Sequence, residues 1–175
     1  MIIAFEGVDR CGKTEISREL ACLTNTPVFK NTGEWSTDLK DATYFKNLLV
    51  YGGTFLIDFL CQVRPDVIFD RYYPSEWVYS RFFKRDTNEE ILRKIDQKFS
   101  EIGGKIILCR RKSYRGIFDD MHEYLDSQAL EGLDKIYEDF VNWTTCEVYT
   151  LWVDDENLEK QIAEIKSWLS MEENA

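Results

Sequence analysis

A three-layer α/β fold, a five-stranded parallel sheet with helices on both faces, is what the sequence predicts. Three observations carry this. Short continuous apolar runs alternate with longer amphipathic stretches along all 175 residues. The first run leads into a turn holding Gly7 and Gly12, and a helical pattern begins directly after that turn. No repeat, linker or low-complexity stretch divides the chain, so residues 1–175 read as one domain.

Taken in order, Ile2 to Phe5 reads as the first strand and Lys13 to Leu23 as the helix after it. Val28-Phe29 is a brief second strand. A polar loop with Gly33 follows, then helical sequence from about Asp38 to Gln62, interrupted at Gly52-Gly53. Val67-Ile68-Phe69 is a third strand ending at Asp70, with Pro65 just outside it, where a missing donor does least harm. Helices cover about Ser75 to Lys84 and Asn88 to Ile102, and Gly103-Gly104 stops the second before the strand Ile106-Ile107-Leu108. From Ile117 onward, Met121, Tyr124, Leu125, Leu133, Ile136, Tyr137, Phe140 and Val141 recur at three- and four-residue steps, marking a long amphipathic helix. Val148 to Val153 is the last strand, and Asp154 or Asp155 caps a terminal helix.

Charge narrows the function. Lys plus Arg is 22 against 32 for Asp plus Glu, a net −10, which argues against a nucleic-acid polymer as partner. A small anion remains compatible, since one local basic cluster suffices to bind phosphate. The five cysteines, Cys11, Cys22, Cys61, Cys109 and Cys146, form no C-x-x-C pair and read as reduced thiols of a cytoplasmic protein. With His122 the sole histidine, a zinc site is not expected. The N-terminal run reads as a buried strand and not a signal peptide, and no stretch reaches 18 consecutive apolar residues, so no membrane span is expected.

Gly7-Val8-Asp9-Arg10-Cys11-Gly12-Lys13-Thr14 matches G-x-x-x-x-G-K-[ST] in full, between a strand and a helix. The glycines let the backbone turn its N–H groups around a phosphate chain, and the helix N-terminus adds its positive dipole end. Gly7, Asp9, Arg10, Cys11, Gly12, Lys13 and Thr14 are therefore the expected ATP-phosphate residues. Lys13 supplies a point charge toward the β- and γ-phosphates, and Thr14 a hydroxyl for Mg²⁺. The fold class is then a three-layer P-loop NTPase fold. Asp70, ending a strand expected beside the first, is the second metal anchor. Arg71 after it is placed to fork onto an acceptor phosphate. A thiol at Cys11, beside a helix N-terminus, would be acidified and reactive, although a small side chain that merely fits is the simpler reading.

Two segments resemble the thymidylate kinase family. Phe5 to Thr14 is similar to its F-E-G-x-D-x-x-G-K-[ST], and Asp70-Arg71-Tyr72-Tyr73-Pro74-Ser75 to its D-R-Y-x-x-S. The resemblance implies ATP and Mg²⁺ as cofactors and a deoxynucleoside monophosphate, dTMP-like, as acceptor. It implies that Asp9 approaches the sugar 3′-hydroxyl, Arg10 lies over the γ-phosphate and Asp70 holds Mg²⁺ through water. Arg71 would grip the acceptor phosphate, and Tyr72 would crowd the 2′ position. The family's aromatic and arginine on the preceding helix are replaced by Tyr44 to Gly53, where Phe45 or Tyr51 stacks on a base or simply fills the core. The family's arginine-bearing loop after the second strand reads Lys30-Asn31-Thr32-Gly33-Glu34-Trp35, so the base stays unassigned.

Arg110-Arg111-Lys112-Ser113-Tyr114-Arg115 is the only dense basic run, and its place after a strand suggests a lid, about 110–118, closing over ATP. Arg111 and Arg115, four apart, could share a helix face, with Arg115 the residue expected to face the nucleotide. A solvated charge run is the plainer alternative. His122 is expected on a solvated face. Lys13, Arg10, Arg71 and Arg115 are thus the expected catalytic set, and Asp9, Asp70, Arg71, Tyr72 and Phe45 the acceptor side. Two other functions stay open: a deoxynucleoside kinase with Glu34 as base, and a nucleotide-binding regulatory switch. A homodimer is also left open.

Overall fold

The computed structural model describes residues 1–30, 48–117 and 126–173. Glu34, Trp35, Phe45 and His122 lie outside them.

Five strands form one sheet: β1 (Ile2–Glu6), β2 (Val28–Lys30), β3 (Val67–Asp70), β4 (Lys105–Arg110) and β5 (Glu147–Trp152). Their order is β2-β3-β1-β4-β5 and every pairing is parallel. The helices are α1 (Lys13–Thr24), α2 (Leu48–Val63), α3 (Tyr73–Phe82), α4 (Glu89–Glu101), α5 (Ser127–Trp143) and α6 (Leu158–Glu173). α1 packs with α6, while α2, α3, α4 and α5 pack among themselves. Strands covered on both faces need continuous apolar sequence, and every residue of β1 and β3 is buried. One of those residues is Glu6, a carboxylate with no exposed surface.

β1 is central, and the chain winds to β3 on one side of it and to β4 on the other. The crevice beyond the carboxyl end of β1 is therefore the topological switch point, where open parallel sheets bind ligands. Register brings Phe5 level with Asp70 and Glu6 level with Leu108, so the loop after β1 and the segments after β3 and β4 meet there.

Three local expectations are corrected. α2 runs unbroken through Gly52-Gly53. The glycine serves packing, because a Cβ on Gly53 would stand 3.1 Å from Ile95 Cδ1 of α4. The long helix does not begin at Ile117, whose N–H closes a turn onto the Tyr114 carbonyl. It begins at Ser127, after Asp126 accepts the Ala129 N–H at 2.8 Å. The terminal helix is capped by Asn157, which accepts the Lys160 N–H at 3.0 Å, and not by Asp154 or Asp155. Asp154 instead accepts the Lys112 N–H at 2.9 Å, and Asp155 pairs with the Lys160 ammonium at 2.6 Å.

Candidate active site

The loop between β1 and α1 is built by two glycines with different tasks. Gly7 has φ 128°, and a Cβ there would meet the Cys109 carbonyl oxygen of β4 at 2.2 Å, so the loop leaves the sheet pressed against its neighbour strand. Gly12 has φ 67° and caps α1, its carbonyl accepting the Glu15 and Ile16 N–H groups at 3.1 and 3.0 Å. Arg10 is also left-handed, at φ 66°, an arrangement a non-glycine residue adopts at some cost. Lys13 is buried, and its ammonium donates to the Val8 carbonyl across the loop. Burial, reinforced by the Arg71 charge, lowers its pKa. Thr14 Oγ1 donates to Asp70 Oδ2 at 2.7 Å, joining the first turn of α1 to the end of β3.

Arg71 has φ 70°, and its N–H extends the ladder onto the Phe5 carbonyl at 3.0 Å. The bend sends the guanidinium back over the loop. Nη1 donates to the Gly7 carbonyl at 3.0 Å, Ser75 Oγ at 3.1 Å and Tyr137 Oη at 3.4 Å, and Nη2 to Asp9. The Asp9 carboxylate also accepts the Tyr79 hydroxyl at 2.7 Å. Burial pushes the Asp9 pKa up, but the Arg71 and Lys13 charges and the Tyr79 hydroxyl outweigh it, and the carboxyl titrates below its ordinary value. Glu6 lies behind Arg71, and burial raises its pKa against the opposing pull of Arg71 and its hydrogen bonds.

The expected residues Gly7, Asp9, Arg10, Cys11, Gly12, Lys13, Thr14, Asp70 and Arg71 thus share one loop and one adjacent strand end. Tyr72 does not join them. Its ring stacks on Phe69 in the core, 4% exposed, and its hydroxyl donates to the Gly53 carbonyl at 3.2 Å. Cys11 is buried with Sγ 3.7 Å from the Tyr114 hydroxyl, and burial raises its pKa, the reverse of an activated thiol.

The basic segment also differs from expectation. Residues 111–117 form no helix, so Arg111 and Arg115 share no helix face. Arg110 forks onto Asp134 of α5 and reaches Glu138 at 2.7 Å. Arg111 donates to the Arg10 carbonyl of the loop at 3.1 Å and to Glu156 at 2.9 Å. Arg115 is exposed, its backbone N–H donating to Ser113 Oγ. Of the arginines in this segment, the one that touches the loop after β1 is therefore Arg111.

Reasoning from sequence had Glu6 and Ser75 within the two resembling segments and Tyr137 on the long helix but gave them no role, and it missed Tyr79. A glutamate closing an apolar strand was the available signal for Glu6. Tyr79, eight residues after Arg71, sits two helical turns along α3.

A glycine loop of this motif after the central strand of a parallel sheet in this order defines the class: a three-layer α/β fold of the P-loop type, thymidylate kinase-like in architecture. No protein-family model matches the sequence, and no curated protein matches it. Solved structures do. The YorR protein from Bacillus subtilis, in complex with phosphorylated GDP, superposes with a TM-score of 0.76 at 19% identity, covering 100% of this chain and 99% of that one. Deoxyadenosine kinase from M. mycoides with bound dATP gives 0.67 at 18%, covering 97% and 100%. Thymidylate kinase from Ehrlichia chaffeensis gives 0.63 at 16%, covering 97% and 98%. At these identities the likeness is one of fold.

Proposed function

We propose that this protein transfers a phosphoryl group from ATP to a deoxynucleoside monophosphate, giving the diphosphate. The observation that carries the reading is the Arg71 guanidinium, fixed at the end of β3 beside Asp9 and directly over the phosphate loop. A cation there sits where a second anion would lie end to end with a triphosphate held by the loop. Fold neighbours that include a thymidylate kinase and a deoxyadenosine kinase favour an acceptor of the deoxynucleoside class, and the first of them favours its monophosphate form.

In this reading the loop N–H groups and Lys13 hold the ATP phosphates, and Arg10 lies over the γ-phosphate. Thr14 and Asp70 fit Mg²⁺, because a hydroxyl and a carboxylate 2.7 Å apart are the hard oxygen donors that ion takes while keeping several waters. Bound there, the ion would neutralise charge on the phosphate oxygens. Arg71 orients the acceptor phosphate. Its oxygen, already ionised and needing no base, attacks the γ-phosphorus as the bond to the β-phosphate oxygen breaks and ADP leaves. Asp9 faces the acceptor sugar. Arg111, by holding the Arg10 carbonyl, keeps the loop and the segment after β4 together; that segment is proposed as the lid. All five cysteines are free thiols, which suits a cytoplasmic enzyme.

The test is a panel of nucleosides and nucleoside monophosphates with ATP and Mg²⁺, scored for product. Diphosphate from a deoxynucleoside monophosphate supports the proposal. Monophosphate from an uncharged nucleoside, lost on Glu34→Gln, would move it to a deoxynucleoside kinase. Hydrolysis without any transfer product would leave a regulatory switch.

A further inference from the structure

Glu6 has no task in the chemistry above, yet it is a carboxylate with no exposed surface at the end of the central strand. A buried charge persists only where its oxygens are all engaged. Oε1 accepts the Tyr72 N–H at 2.6 Å. Oε2 accepts the hydroxyls of Ser75 at 2.6 Å and Tyr137 at 3.1 Å. The partners come from α3 and α5, so three elements converge on one carboxylate.

The direction of these bonds matters. A hydroxyl has one hydrogen and two lone pairs. Ser75 and Tyr137 each give that hydrogen to Glu6, which leaves their lone pairs facing Arg71. Arg71 Nη1 donates to both, at 3.1 and 3.4 Å, and to the Gly7 carbonyl. An anion is thereby read through two hydroxyls as a pair of acceptors that clamp one end of the guanidinium. With Nη2 also tied to Asp9, Nε and the second Nη2 hydrogen have no acceptor among the described residues. Nε and Nη2 lie along one edge of the fork, the geometry that takes two oxygens of a phosphate.

We infer that Glu6, acting through Ser75 and Tyr137, is a positioning residue that fixes the Arg71 guanidinium so that its Nε–Nη2 edge faces the acceptor phosphate; this rests on the monophosphate-kinase reading. Neither Ser75 nor Tyr137 need touch the substrate. Loss of the relay lets the guanidinium swing, and acceptor binding suffers while ATP binding does not.

The experiment compares wild type with Tyr137→Phe, Ser75→Ala and Glu6→Gln, each alone and with Arg71→Lys. Steady-state kinetics are run in both substrates, and the Arg71 Nη groups are followed by nitrogen-15 NMR without substrate. We expect acceptor KM to rise about tenfold in each single variant, as loss of orientation at a charged hydrogen bond costs, with ATP KM unchanged. In the Arg71→Lys background the second substitution should add nothing, because the relay acts only through the guanidinium. The Nη groups should show hindered rotation in wild type and free rotation in the variants. Equal rises in both KM values, or effects that multiply with Arg71→Lys, would overturn the inference. Should Glu6→Gln fail to fold, Tyr137→Phe, which removes one oxygen, decides alone. If wild type accepts no monophosphate the functional reading falls, and the Nη rotation still decides the relay: unchanged rotation in Tyr137→Phe refutes it.

Discussion

Arg71, at the end of β3, and Asp9, in the loop after β1, form an ion pair 62 residues apart in sequence, and Tyr79 closes it from the side. The guanidinium carbon also stands 5.3 Å from the Tyr79 ring centre. Both charged side chains are mostly buried, 20% and 28% exposed, so removing one leaves the other short of a counter-charge in a place where water compensates only in part. Asp9→Ala should therefore cost about 1–3 kcal/mol of stability, less than a fully buried pair would, whereas Tyr79→Phe should cost about 1 kcal/mol. Urea denaturation measures both. An Asp9→Ala protein as stable as wild type would mean the pair is a solvated surface contact.

The two loop glycines should respond differently to the same change. Gly7→Ala places a methyl 2.2 Å from a backbone carbonyl of β4, at a φ that L residues avoid. Relief requires β1 and β4 to separate, and the loss should reach about 3 kcal/mol or more. Gly12→Ala meets nothing nearer than Ile16 Cδ1 at 3.6 Å and carries only the left-handed penalty, about 1–2 kcal/mol. Equal losses in urea melts would show that the loop does not press on β4.

Thiol chemistry separates the cysteines by burial. Cys11, Cys109 and Cys146 are buried, and desolvation raises the pKa of each. Cys22 is exposed and Cys61 half-buried. Titration of the folded protein with a disulfide reagent should modify Cys22 first and Cys61 more slowly, with the other three reacting only on unfolding. Rapid modification of Cys11 in the folded protein would overturn its assignment as a packed thiol against Tyr114.

Strand positions were legible because strands buried on both faces leave nowhere for polar residues, so Ile2–Phe5 and Val67–Phe69 announce themselves as continuous runs. The loop was legible because phosphate binding by backbone needs local spacing alone. What escaped was nonlocal or directional. Tyr137 meets Glu6 across 131 residues, a pairing no local pattern encodes. Gly52-Gly53 looked like a helix break because the sequence does not show α4 lying against it. Tyr72 and Arg115 were placed by analogy and by spacing, and packing sent one into the core and the other to the surface. Arg111 and Arg115 carry the same charge four residues apart, yet Arg111 holds the Arg10 carbonyl and Glu156 while Arg115 is exposed.

Two carboxyls should give the protein opposite responses to pH in separate windows. The folded pKa of Glu6 lies above its ordinary 4.5, so between that value and the folded one the native state holds more proton than the unfolded state. Stability from this group is thus complete below 4.5 and declines as pH rises through the folded pKa. Asp9 is depressed below 3.8, so its contribution is complete above 3.8 and is lost as pH falls through the folded value. The charged and titratable groups facing Glu6 are Arg71, held protonated, and Tyr137 and Cys109, whose pKa values are raised, so none of them changes charge between pH 4 and 8. Urea melts across that range should show the stability difference between wild type and Glu6→Gln shifting in favour of the variant as pH rises. Melts of Asp9→Asn should converge toward wild type only as the pH falls below 3.8. A Glu6→Gln difference that stayed constant with pH would mean the carboxyl keeps one charge state throughout, and that burial is fully offset by Arg71 and the hydroxyls around it.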